Sequence, residues 1–327
     1  QVSRRSAVFF ARSSGGMVYS ARGLNLPVPP LPGMTRQRKY SNSWNPQAGT
    51  VFARPRKGTG RNMARLAVIA GKGALPATLA DNARSLGEDV VIIQIAGQAD
   101  ADFSAFEAFE VPLGAVGRAR ELIRDAGCDR VVMIGKISRP PLSQLKPDAA
   151  AVKLLARAVG RGDDALLRVI SDFLAEAGIE TVSPEQFLPG AMMPAGIATG
   201  MLDDAMGEDV NRGSAVLDAL GGHDVGQGVV LQDGRVIAIE GAEGTDGMLR
   251  RIAPLIDPAS TPAIFVKRRK SGQDTRLDIP VVGEETLRLA ADCGVRVLAL
   301  EAGGVMLATA PDTLLSLIHI SEPTRRY

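Results

Sequence analysis

The sequence predicts an α/β fold in two domains: an N-terminal parallel sheet with crossover helices, then a C-terminal domain of mixed α/β build. Three observations carry this. Short apolar runs alternate with helically spaced apolar residues through the first part of the body, the signature of parallel strands joined by helices. A Gly-, Pro-, Met- and Ala-rich stretch over 189–200 (PGAMMPAGIATG) interrupts that alternation and reads as an interdomain linker. Beyond it, Asp233-Gly234 lies between two apolar runs, a hairpin signal that brings in antiparallel pairing.

Taken in order, 66–70 (LAVIA) is a short apolar run ending in glycines and reads as a buried strand. Leu75, Leu79, Ala83 and Leu86 follow at helical spacing up to Gly87. Residues 90–95 (VVIIQI) are a second buried strand, 116–126 a helix ending at Gly127, and 130–135 (RVVMIG) a third strand. This alternation is Rossmann-like in pattern. Residues 148–160 and 163–177 read as helices; Leu166, Val169, Ile170, Phe173 and Leu174 mark one face of the second. A short strand is expected at 179–182. Past the linker come a helix near 203–220, strands 228–231 and 236–240, helix 246–256, strands 263–267 and 278–282, helix 284–293 and strand 296–300. The expected division is therefore 63–188, a linker at 189–200, and 201–313.

Charge separates the ends from the body. The chain has 327 residues with 38 Lys+Arg and 36 Asp+Glu, net +2. Residues 1–62 hold 11 of the basic residues and no acid, so the remainder carries 27 basic against 36 acidic, a net of −9. An acidic body with six Phe and no other aromatic up to residue 313 argues against nucleic acid as partner. Residues 1–62 lack hydrophobic periodicity and are expected to be disordered or absent from the mature protein, with Met63 as the start. Residues 314–327 read as an artefactual tail, so His319 is expected to carry no function. Cys128 and Cys293, far apart and without a CxxC, argue against a disulfide scaffold or zinc site and for a reducing cytoplasm. No apolar run approaches membrane-span length.

Five stretches carry chemistry. Gly71-Lys72-Gly73-Ala74 between strand and helix suits an anion such as phosphate, or is only a tight turn. It is not a dinucleotide fingerprint: Pro76 stands where the third glycine would be, and the second strand ends near Gln94 rather than in an acid, which disfavours NAD. Gly135-Lys136-Ile137-Ser138-Arg139 lies at the carboxyl end of the third strand, with donors for an anion. Asp163 and Asp164 open a helix; capping suffices for one of them, and a ligand contact is the other reading. Glu240, Glu243 and Asp246 put three acids within seven residues, suiting a divalent cation against phosphate, while Thr245 or Asp246 could simply cap the next helix. Last, Arg276 alternates with Asp274 and Asp278 along an expected strand, behind a cation run, 267–270, that reads as a solvated loop. A lone His223 is incidental.

In this order, IAGKGALP, GKISRP, GDDALLR, DVGQGVV, AEGTDGMLRR and DTRLDIPVVG resemble the LpxI-type UDP-2,3-diacylglucosamine pyrophosphatases, from Met63 to about Thr313. The resemblance implies two α/β domains holding a lipid-sugar phosphate between them. It implies hydrolysis of UDP-2,3-diacylglucosamine to UMP and 2,3-diacylglucosamine 1-phosphate in lipid A synthesis, with Mg²⁺ or another divalent cation. Asp246 falls on the family's essential aspartate and would be catalytic and metal-binding, with Glu243 beside it. Gly71, Gly73, Ala74, Gly135, Lys136, Ser138, Arg139, Asp163, Asp164, Gln227, Gly244, Thr245 and Arg276 would face the substrate. The implied location is the cytoplasm, with peripheral contact to the inner membrane and a homodimer left open. The rivals are a non-catalytic nucleotide-sugar or lipid-binding protein and a nicotinamide-dependent oxidoreductase.

Overall fold

A computed structural model describes residues 7–12, 65–138, 147–158, 162–194, 196–199 and 203–308, all within one compact unit. Strand β1 (Ala7–Arg12) comes first. Five further strands, β2 (Arg65–Ala70), β3 (Asp89–Ile95), β4 (Glu107–Val111), β5 (Arg130–Ile134) and β6 (Glu180–Thr181), form a parallel sheet in the order β4-β3-β2-β5-β6. Helices α1 (Leu75–Ser85), α2 (Val116–Asp125), α3 (Ala149–Ala158) and α4 (Gly162–Ala175) connect them. Val, Ile and Ala fill β2, β3 and β5 because these strands are buried on both faces. Strand β4 has no such run. Its two Glu suit a sheet edge, which is why an apolar pattern does not reveal it. The strand order reverses between β2 and β5, the switch point where ligands of open α/β sheets bind.

The second part contributes β7 (Gly196–Thr199), α5 (Asp204–Gly221), β8 (Gly228–Gln232), β9 (Arg235–Ile239), α6 (Gly244–Ile252), β10 (Ala263–Lys267), β11 (Val281–Val282), α7 (Glu284–Asp292), β12 (Val295–Ala302) and β13 (Met306–Leu307). Its main sheet runs β7-β1-β12-β10-β8-β9 and is mixed: β12 is parallel to β1 and β10, the other pairs antiparallel. The hairpin turns as its dipeptide demands, with φ of 54° at Asp233 and 72° at Gly234. Met248 and Leu249 of α6 are fully buried in one core with Phe265 of β10 and Leu287 of α7, while Val210 and Leu217 of α5 cover Val229 and Val266 on the opposite face.

Four expectations change. Ala7–Arg12, inside a segment expected to lack structure, pairs between β7 and β12 through backbone hydrogen bonds. The linker is partly built in: Met192 bridges Met306, and Gly196–Thr199 is strand β7. The division at 188 and 201 is not clean either, because Ile279 and Met306 pack into the core of the N-terminal sheet. The strand expected at 278–282 shrinks to Val281–Val282, since Asp274 draws 274–277 into a turn closed by Leu277 N–H to the Asp274 carbonyl. The ends beyond these, including Met63 and 314–327, lie outside the described residues.

The cysteines stay buried and unpaired, and burial pushes the Cys128 thiol up to about 11. One buried contact joins α4 to β6: the Ser171 hydroxyl donates to Thr181 Oγ1 at 3.0 Å, both residues being buried. Ser171→Ala should lower unfolding stability in urea by about 1 kcal/mol, because Thr181 is left unpaired. Adding Thr181→Val should recover most of that loss, since both polar atoms are then gone.

Candidate active site between the two sheets

The loops after β2 and β5 meet at the switch point. Gly71 N–H donates to the Ile134 carbonyl at 2.8 Å, and Lys72 and Lys136 exchange backbone hydrogen bonds of 2.9 and 3.0 Å. Gly71 and Gly135 lie so close that a Cβ on Gly135 would stand 2.7 Å from the Gly71 carbonyl carbon. Gly73 N–H donates to Asp100 Oδ1 at 2.7 Å, and Ser138 N–H to Gln98 Oε1 at 2.8 Å. Of the amides expected to receive an anion, those of Gly71, Lys72, Gly73 and Ser138 thus already meet oxygen acceptors. Ala74 precedes α1 without a side-chain cap.

Across from these loops, α6 begins after Glu243. The capping readings of Thr245 and Asp246 fail, because neither side chain caps the helix. The Asp246 carboxylate instead accepts from Thr286 Oγ1 at 2.9 Å and from Lys136 Nζ at 3.1 Å. Burial raises its carboxyl, but the bonds from Thr286 and Lys136 outweigh that and hold it below the usual range. Lys136 and Asp246 therefore join the carboxyl edge of the parallel sheet to the first turn of α6.

The three clustered acids do not converge. Glu243 turns to Arg251, at 2.7 Å, and that hydrogen bond lowers its carboxyl. Glu240 turns inward, accepting from the Thr245 hydroxyl at 3.0 Å. Gly244, with φ of 72°, lets the chain reverse into the helix between them.

A second polar group gathers around Lys270 and Asp278. Asp164 of α4 accepts from Lys270 at 3.2 Å, and Lys270 also contacts Asp224. Gln227 and Gln273 donate to Asp278 Oδ2 at 3.4 and 2.6 Å. Burial raises the Asp278 carboxyl. Arg276 is held by Asp274 at 2.7 Å, whereas Asp278 is engaged by Gln227 and Gln273, and 274–278 do not form the strand on which all three were expected to alternate. Arg139 lies outside the described residues, and Asp163 is the second residue of α4.

The solvated reading of the 267–270 run also fails. Lys267 is 4% exposed and faces Glu240; Arg268 pairs with Asp218, Arg269 with Glu301, and Lys270 with Asp164. Thr286 is the site residue the sequence reading passed over; Asp278 was named only as a neighbour of Arg276, and Lys267 and Lys270 only as part of a solvated run.

Fold and site together define a two-domain α/β protein whose charged groups gather where the carboxyl edge of a parallel sheet faces the helix-bearing edge of a mixed one. Comparison with known proteins narrows this. The LpxI N-terminal domain matches residues 65–191 and the LpxI C-terminal domain residues 194–318. The UDP-2,3-diacylglucosamine pyrophosphatase LpxI of Caulobacter vibrioides is 34% identical over 280 residues, covering 80% of this chain and 100% of the relative. The chain belongs to the LpxI family. Among solved structures, the Bordetella bronchiseptica enzyme WbmH with NAD+ overlaps 34% of this chain and 36% of its own, at 17% identity and a TM-score of 0.23. WbmG of the same bacterium, with NAD and UDP, overlaps 45% and 49% at 13% identity and 0.26. Scores this low give the likeness no weight.

Proposed function

We propose that this chain hydrolyses the pyrophosphate bond of UDP-2,3-diacylglucosamine, giving UMP and 2,3-diacylglucosamine 1-phosphate for lipid A synthesis. The observation that carries this is the Asp246–Lys136 pair. It sets a carboxylate held ionised, at a helix start, against a cation on a switch-point loop, in a chain 80% of which aligns with the whole length of a UDP-2,3-diacylglucosamine pyrophosphatase.

The roles follow from the chemistry. A water oxygen attacks one phosphorus, the bridging P–O bond breaks, and the phosphate that leaves carries the bridging oxygen. The Asp246 carboxylate orients that water and accepts hydrogen bonds from it. Lys136, whose side chain is 67% exposed, is free to leave Asp246 for a phosphate oxygen. We assign Gly71, Gly73, Ala74, Gly135 and Ser138, with Arg139 as read from sequence, to phosphate contact, and exposed Ile137 offers apolar surface to an acyl chain. Asp163, Asp164, Gln227, Gly244 and Arg276 are kept as substrate contacts.

The donor set fits a divalent cation held mostly by the substrate. Among the described residues no three His, Cys, Asp or Glu side chains form a metal cage, and Mg²⁺ commonly takes one or two carboxylates, with waters and phosphate oxygens. Asp246 would be its protein ligand, and when bound it would neutralise charge developing on the phosphate. No helix among the described residues is long and apolar enough to cross a membrane. We place the enzyme in the cytoplasm, meeting its lipid substrate at the inner membrane surface.

Phosphorus NMR of UDP-2,3-diacylglucosamine tests this. UMP and a sugar 1-phosphate should appear with Mg²⁺ and stop on addition of EDTA. In ¹⁸O water the label should enter one product and identify the phosphorus attacked. Binding without turnover, with Mg²⁺ present, would favour the binding-protein reading instead.

A further inference from the structure

Thr245 is the residue before Asp246, and its hydroxyl is committed to the protein interior. Lys267 Nζ lies 2.5 Å from Thr245 Oγ1, and Thr245 Oγ1 lies 3.0 Å from Glu240 Oε1. An ammonium only donates and a carboxylate only accepts, so the threonine oxygen accepts from Lys267 and its one hydrogen goes to Glu240. No hydrogen remains for a ligand. The hydroxyl of Thr245, expected from sequence to face the substrate, therefore donates within the protein instead.

The pair that holds Thr245 is buried. Lys267 and Glu240 side chains are 5% and 13% exposed, and Nζ stands 3.8 Å from Glu240 Oε2. That oxygen is fully buried without a hydrogen bond among the described residues. Gly228 leaves the room it needs, since a Cβ there would stand 2.8 Å from Oε2. A buried ion pair with an unmet oxygen is poor evidence for stability. What the group does achieve is geometric. Lys267 ends β10, Glu240 follows β9, and Thr245 sits in the first turn of α6, which has no side-chain cap of its own.

We infer that Thr245, gripped by Lys267 and Glu240, is a positioning residue that fixes the first turn of α6 and so aims the Asp246 carboxylate. This rests on the proposed hydrolysis, in which Asp246 orients the attacking water.

The test is steady-state kinetics of the full chain with UDP-2,3-diacylglucosamine. Thr245→Val keeps the shape and removes the hydroxyl. It should lower kcat by about tenfold or more, with KM within about twofold, because only the transition-state alignment is lost. Thr245→Ser should recover most of that loss. A purely structural threonine would lower the melting temperature in both variants and leave kcat per folded molecule unchanged. Wild-type kcat per folded molecule in Thr245→Val, or a serine variant as slow as the valine one, overturns the inference. A second readout needs no turnover: the ¹⁵N–¹H signal of the Lys267 ammonium should be protected from exchange in the wild type and lost in Thr245→Val. A wild type without hydrolysis sinks the proposed reaction, and the positioning role with it, even if that ammonium is protected. An active wild type lacking the protected signal overturns the positioning role alone.

Discussion

Asp246→Ala is expected to lower kcat by roughly 10²–10⁴-fold, the range for a group that handles a proton or water in the transition state, while substrate binding and folding persist. The fold should survive because the partner left behind, Lys136, has a side chain 67% exposed and returns to water. The Thr286 hydroxyl, by contrast, loses an acceptor in a buried residue, so a modest drop in melting temperature is expected. Asp246→Asn separates charge from shape. It can still accept from Thr286 but no longer attracts Lys136, and its kcat should fall nearly as far as with alanine. The pH profile checks the same point from another side. The folded-state carboxyl is depressed, so the charged form is present above its ordinary range and lost only as pH falls through the lowered value. An acid limb of kcat between about pH 5 and 6, well above any normal aspartate, must then come from another group. Glu243→Gln is the contrast. Its carboxylate is engaged by Arg251 rather than directed at Lys136, so a kcat loss of less than about tenfold is expected, below the general acid–base range. A larger loss would return Glu243 to the catalytic role first read for it.

What sequence could and could not show follows from how far apart the partners lie. The hairpin was legible because Asp233-Gly234 encodes its own left-handed turn. Strands β2, β3 and β5 were legible because burial on both faces leaves continuous apolar runs. Strand β4 was not, since two glutamates on an edge strand mask the pattern. Residues 274–278 look like an alternating strand, yet the Arg276 amide and guanidinium both bond to Asp274 and curl the chain into a turn. Local hydrogen bonding outcompeted pairing there. The cation run was misread for a different reason. Lys270 meets Asp164 across 106 residues and Arg268 meets Asp218 across 50. A charge run looks solvated until its distant acids are known. Asp246 and Lys136 were both singled out separately, but only the fold shows that they touch across 110 residues.

Gly135→Ala should be the most destabilising single-methyl change among the glycines of the two switch-point loops. Gly135 has φ of 101°, and the added Cβ would stand 2.7 Å from the Gly71 carbonyl carbon and 2.9 Å from its Cα and N. Left-handed backbone costs a non-glycine residue roughly 1–2 kcal/mol. Forcing a methyl into occupied space adds about 1–3 kcal/mol, and here the obstacle is backbone, which cannot rotate away. The two effects can be measured apart. Gly73 has nearly the same φ, 102°, but nothing within 4 Å of its added Cβ, so Gly73→Ala reports the backbone cost alone. Gly71→Ala, which meets Gly135 and Lys136 backbone at 2.8–2.9 Å without a left-handed φ, reports the crowding alone. In urea unfolding, the loss for Gly135→Ala should approach the sum of the other two. The Gly71→Ala/Gly135→Ala pair should cost less than its parts added together, because once the loops have parted the second methyl meets open space. Parting the loops also breaks the Lys72–Lys136 backbone bridge and carries Lys136 away from Asp246. Gly135→Ala should therefore lose activity at temperatures where it is still folded, whereas Gly73→Ala keeps that bridge and should retain more. Equal stability for Gly73→Ala and Gly135→Ala would mean that the two loops do not press together at the switch point, and that Lys136 reaches Asp246 by some other support.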